Sequence, residues 1–187
     1  SIGVSVVGVG GMNTNYDELM MFNGQAYPHE TGIDLMQLKI IPTLAYKFND
    51  KHSVGIGVEI GYQMFKAYGL EAFTGTNSMP TGNPGQYYDQ QASSSPSNVT
   101  GNGYDGAFGI GFTLGWQGQI TDQLTLGATY HSKNSMQEFD DYRGLFAEQG
   151  SLDMPAWYGF GLAYKATPKL TIAFDFTRTE YSGVDSI

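Results

Sequence analysis

Bulky apolar residues alternate with small or polar ones along seven stretches of the chain. In Ser53–Phe65, Val54, Ile56, Val58, Ile60, Tyr62 and Met64 stand against Gly55, Gly57, Glu59, Gly61 and Gln63. In Tyr104–Gln119, Phe108, Ile110, Phe112, Leu114 and Trp116 stand against Ala107, Gly109, Gly111, Thr113, Gly115 and Gln117. Leu170–Thr179 sets Leu170, Ile172, Phe174 and Phe176 against Thr171, Ala173, Asp175 and Thr177. A period of two is the signature of a β-strand, whose successive side chains point to opposite faces. The other strands are expected at about Ile2–Gly10, Leu38–Phe48, Leu124–Ser132 and Trp157–Ala166.

The connections between these stretches alternate in length. Short polar turns fall at Asn49–His52, Thr121–Gln123 and Thr167–Lys169, and long connections at about 11–32, 67–103 and 134–152. In an antiparallel up-and-down sheet, alternate connections lie at opposite ends, so one rim carries tight turns and the other long loops. Short periplasmic turns opposite long extracellular loops are the pattern of a transmembrane β-barrel of the bacterial outer membrane. Seven strands left open would expose two unpaired edges to lipid, and single-chain bacterial barrels are generally even-numbered. The expectation is therefore a partial barrel domain over 1–187, either a portion of a larger protein or one that closes with other chains.

Composition narrows the alternatives. Apolar residues make up 41% of the 187 residues and charged ones 14%, with 26 glycines. No run of 18 apolar residues occurs, which excludes helical membrane spans. A soluble sandwich would also alternate, but its second face would be solvated and more heavily charged. Here that face is small, polar and glycine-rich, as suits a crowded lumen. Aromatics such as Tyr46, Phe48, Tyr62, Phe65, Trp116, Tyr130, Trp157 and Tyr164 gather at strand ends, as in interfacial girdles. A net charge of −9 argues against nucleic acid, which calls for a basic stripe. The absence of cysteine fits an oxidising compartment, and no signal peptide is seen, so a mature form or internal portion is expected.

Three stretches resemble the FadL-type family of long-chain fatty-acid and toluene (aromatic hydrocarbon) transporters of Gram-negative outer membranes. They are Ile41–Val58, a strand, turn and strand; Ile120–Ser132; and Leu152-Asp-Met-Pro-Ala156 leading through Gly159–Tyr164 to Leu170–Phe176. The leucine-x-x-proline entry into a strand after a long loop is the most distinctive. The resemblance implies a fourteen-strand barrel with an amino-terminal plug, of which this chain would supply strands three to nine. It also implies a passive channel. A hydrophobic small molecule, long-chain fatty acid or aromatic hydrocarbon, would be captured among the loops and leave sideways at a kinked third strand. That strand would be Ile2–Gly10 with Gly11, and Gly3, Gly8, Gly10 and Gly11 suit a bend. The glycines would equally serve to pack against large neighbours.

A capture groove is expected from the second and third long loops. Phe139, Tyr142, Leu145, Phe146 and Leu152 lie among polar residues, and Phe139, Tyr142 and Phe146 would share one face of a short helix. Phe73 and Met79 come from the other loop. The alternative is that these side chains anchor the loops to the rim. Lys39, Glu59 and Asp175 fall on the inward parity as polar lumen groups, and Lys39 or Lys47 would suit a fatty-acid carboxylate unless acids and bases pair across the lumen. His131-Ser132 and Asp140-Asp141 do not build a hydrolase, because neighbours on a strand point to opposite faces. His29, His52 and His131 lack metal-ligand spacing. Neither catalysis nor a cofactor is implied, and the expected partners are a hydrophobic ligand and outer-membrane lipid. The competing function is a structural or adhesive barrel that binds a protein partner through its loops.

Overall fold

The computed structural model describes residues 1–17, 30–74 and 93–184 in full, and the backbone alone of 20–22, 25–27, 76–80 and 87–91. Seven long strands carry the fold: β1 Ile2–Tyr16, β2 Thr31–Lys47, β3 His52–Tyr68, β4 Asp105–Gln119, β5 Leu124–His131, β6 Ala156–Thr167 and β7 Leu170–Glu180. Each pairs antiparallel with its neighbour in sequence, giving one curled up-and-down sheet ordered as the chain runs. A two-residue strand, Ser135–Met136, adds to the upper part of β4. Two small hairpins, Met20–Phe22 with Gln25–Tyr27 and Thr76–Pro80 with Tyr87–Gln91, belong to the first two long connections.

The short turns are set by their own side chains. Asn49 Oδ1 accepts from the backbone N–H of Lys51 at 2.8 Å and of His52 at 2.9 Å, turning β2 into β3. Thr121 Oγ1 does the same for Gln123 at 3.2 Å and Leu124 at 2.9 Å, and Thr167 Oγ1 for Lys169 at 3.3 Å. Asn and Thr hold such turns because a short polar side chain bonds the backbone two or three residues on.

The two faces differ as the alternation predicts. The bulky set points outward and stays uncovered, with Ile56 55%, Ile110 64% and Phe174 58% exposed. An apolar face of this extent is left bare on a water-soluble domain only at a cost, and a bilayer is the medium that covers it. The inward set of β3 is buried from Gly57 to Ala67, and a Cβ on Gly57 would come within 2.8 Å of Thr113 and 2.9 Å of Thr43. Glycine here lets three strands crowd one side of a narrow lumen.

The strands outrun the expected boundaries. β1 continues past Gly11 to Tyr16, and β2 begins at Thr31 instead of Leu38. Met12–Tyr16 carries little apolar alternation, yet its backbone pairs residue by residue with Thr31–Leu35. A strand that rises out of the apolar band keeps its ladder without keeping its pattern, so the first connection is shorter than 11–32. Leu124–His131 and Ala156–Thr167 lie within one residue of expectation.

Candidate functional site

The third long loop is a plug of aromatic side chains on the rim. It holds no α-helix; its local turns are Asp140–Tyr142 and Ala147–Gln149, each a single 3-10 turn. Phe139, Tyr142 and Phe146 nonetheless converge on Phe65 near the end of β3, with ring centroids 5.6, 4.9 and 4.8 Å away. Val99, Leu70, Ala67 and Ala107 complete this cluster, and Leu145, Phe146 and Leu152 pack against it half-buried. Phe139 and Tyr142 have no exposed surface, so they fix the loop to the rim, while Leu145, Phe146 and Leu152 keep part of their surface uncovered. Gly150 closes the loop at φ 114°, where its carbonyl accepts from Phe139 N at 2.9 Å. The Tyr142 hydroxyl donates to the carbonyls of Ala67 and Gly103, and burial pushes its phenol above the ordinary range.

Phe73 ends the short turn Glu71–Phe73, is 38% exposed, and lies outside the cluster. Met79 is on the strand Thr76–Pro80, and its side chain lies outside the described residues.

Below the loop, charged side chains meet inside the sheet. Lys39 on β2 and Glu59 on β3 form an ion pair at 2.7 Å, with Glu59 fully buried and Lys39 4% exposed. His131 at the end of β5 donates through Nδ1 to the other carboxylate oxygen of Glu59, and its Nε2 lies 3.3 Å from Thr113 Oγ1. The imidazole stacks on Trp157 of β6, centroids 3.8 Å apart. One step higher, Gln37 Nε2 donates to Gln63 Oε1 at 2.9 Å, and Gln63 Nε2 to the Leu152 carbonyl at 3.0 Å, tying the lumen to the loop. Buried charges persist when paired and hydrogen-bonded, and both conditions hold for Glu59. Lys47 instead pairs with Asp50 at the exposed turn, and Arg143 contacts Ser95. Ser132 is buried, but its hydroxyl bonds Phe112 N and Lys133 O, so it does not engage His131.

The register of β1 against β2 shifts at the glycines. Gly8 faces Leu38 and Gly10 faces Gln37, which leaves Val9 as the extra residue of a β-bulge. A bulge kinks its strand and redirects side chains. Here Val9 and Gly10 both line a cavity of about 550 Å³ on the inner side. Its other walls are Leu35, Gln37 and Lys39 of β2, Leu152–Pro155 below the loop, Trp157 of β6, and Thr177, Thr179 and Tyr181 at the far edge. A Cβ on Gly10 would run into the Gln37 amide, whereas Gly3 and Gly8 face open space and Gly11 has only Leu35 O near by at 3.7 Å. Of the four glycines, Gly10 is the one whose missing side chain the structure uses.

A second hollow of about 550 Å³ continues along β4–β7 and shares Trp157 and Thr177 with the first. Gly127, Gly159 and Gly161 keep it open, and Asp175 lies in its wall. The two hollows meet at Trp157 and Thr177. Parity placed Lys39, Glu59 and Asp175 inward, and all three are there. Parity could also have flagged Gln63 and His131, which share that phase; their importance comes from cross-strand register, which one strand's pattern does not contain.

A family model for "Outer membrane protein transport protein (OMPP1/FadL/TodX)" matches residues 1–187. Among solved structures, the toluene transporter TbuX of Ralstonia pickettii is similar at 20% identity and TM-score 0.63, covering 97% of this chain and 51% of that one. The toluene transporter TodX of Pseudomonas putida is similar at 19% identity and TM-score 0.61, covering 97% and 51%. A FadL homologue of Pseudomonas aeruginosa is similar at 19% identity and TM-score 0.60, covering 97% and 46%. The chain thus spans about half the length of these structures. No curated protein matches it in sequence. With the family model matched end to end and the barrel wall shared with these structures, the chain belongs to the OMPP1/FadL/TodX family of outer membrane transport proteins.

Proposed function

We propose that this chain forms part of a passive channel through which hydrophobic small molecules, long-chain fatty acids or aromatic hydrocarbons, enter across the outer membrane. The observation that carries the reading is the cavity of about 550 Å³ between the loop segment Leu152–Pro155 and the bulge at Val9 and Gly10. Its volume is in the range of small-molecule sites. The half-buried Leu145, Phe146 and Leu152 offer the first apolar surface, with Phe73 and Met79 of the neighbouring loop as further contacts. Transfer inward follows from burial of apolar ligand area at about 25 cal/mol per Å², spread over successive shallow sites so that none becomes a trap.

Exit is lateral, at the bent strand that carries Gly3, Gly8, Gly10 and Gly11. The bulge supports this, since it interrupts the regular β1–β2 register beside the cavity. The similar structures named as toluene transporters support the cargo class. No chemical step is needed. The test is uptake of radiolabelled toluene and oleate by cells that lack their own hydrocarbon channels and express the whole protein. Uptake above that of empty-vector cells is expected for at least one. Uptake equal to empty vector for both, with the protein folded in the outer membrane, would overturn the reading and favour a structural or adhesive barrel.

A further inference from the structure

Three charged side chains line the two joined hollows: Lys39, Asp153 and Asp175. None is a cation free to receive an anion. Lys39 Nζ is spent on Glu59 Oε2 at 2.7 Å, behind a side chain with no exposed surface. Asp153 accepts from Met136 N at 2.8 Å and is paired with Lys133 Nζ at 2.8 Å. Asp175, which makes no ion pair among the described residues, adds negative charge to the lower hollow. The remaining polar groups of the upper cavity are neutral, and the Gln37 amide already donates to Gln63.

We infer that Glu59 makes this path selective for uncharged hydrophobic molecules, by neutralising the cation that faces the cavity and so rejecting carboxylates of the same size and shape. The inference rests on the proposed channel reading. A carboxylate entering between Leu35, Leu152 and Trp157 sheds its hydration and finds, among the described residues lining the cavity, no unmatched positive charge to replace it. At Lys39 it meets the Glu59 carboxylate as a competitor, and further down it meets Asp175. A neutral ring or chain pays neither penalty. Discrimination of this kind comes from an element set against the wrong ligand, not from added contacts to the right one.

The experiment is equilibrium binding of radiolabelled toluene and of radiolabelled benzoate at pH 7.5 to the whole protein in detergent, with protein-free micelles as background. Toluene is expected to bind at least about ten-fold tighter than benzoate, the size of one decade in Kd. Glu59→Gln, which frees the Lys39 charge, is expected to bring benzoate to within about three-fold of toluene. Equal binding of the two by the unaltered protein would overturn the inference while leaving the channel reading intact. A folded Glu59→Gln protein that still rejects benzoate would overturn the role given to Glu59. Binding of neither ligand would remove the channel reading and the inference with it. Equal binding by the unaltered protein overturns the inference even if the variant fails to fold.

Discussion

Lys39 Nζ lies 2.7 Å from Glu59 Oε2, on the adjacent strand and closed off from solvent. Through His131 and its stack on Trp157, the pair links the β2–β3 hairpin to β5 and β6, and Lys39 and Trp157 both line the cavity.

Removing one partner of the pair strands the other. Lys39→Met should lower stability by about 3–5 kcal/mol, because Glu59 is then left buried without its lysine, hydrogen-bonded to the His131 imidazole. The check is the temperature at which the barrel loses its resistance to SDS. A shift no larger than that of an exposed-pair control, Lys47→Met, would mean the pair contributes nothing.

Phe139 should matter locally. Phe139→Ala removes a fully buried ring from the loop cluster, a cost of about 3–5 kcal/mol. That loss should appear as faster amide exchange over 134–152, with exchange in β5, β6 and β7 unchanged. Equal acceleration throughout would show that loop and wall unfold as one unit.

The same loop should loosen in alkali. The folded-state pKa of Tyr142 is raised, chiefly by burial, so its contribution to stability is fully present below the ordinary tyrosine value of about 10 and is lost as pH rises through the folded value. Proteolysis of the loop should therefore be flat below about pH 10 and accelerate as pH rises above it, and Tyr142→Phe should flatten the dependence. An unchanged profile in Tyr142→Phe would assign the pH effect to another group.

Filling the bulge should slow the channel without unfolding it. Val9 is 46% exposed and borders the cavity, so Val9→Trp adds bulk where open space exists. Uptake of radiolabelled toluene should fall about ten-fold, while SDS resistance stays at the parent level. Unchanged uptake would place the route elsewhere.

The alternation made the wall legible because lipid and lumen impose opposite demands on successive residues. Ile56, Val58 and Ile60 point outward with Glu59 buried between them, as their phase requires. The bulge at Val9 was hidden for the same reason: Val6, Val7 and Val9 are all apolar, so a change of phase leaves no mark in the sequence. In the third loop, the spacing of Phe139, Tyr142 and Phe146 indicated a shared destination but the wrong element. Tight turns around Gly150 gather these rings on Phe65, a residue some seventy positions earlier, and that distant contact is what periodicity lacks. The Lys39–Glu59–His131 set was visible as inward residues and not as a cluster, because it takes the registers β2–β3, β3–β4 and β4–β5 to bring them together.

The most direct test of the account is the location of a bromobenzene molecule by anomalous scattering in crystals of the whole protein soaked to saturation. The account predicts a bromine site between Val9–Gly10 and Leu152–Trp157, in the cavity beside the bulge. Bromine sites confined to the outward face, for example in the apolar hollow between Leu44, Ile56 and Leu114, with this cavity empty, would contradict it.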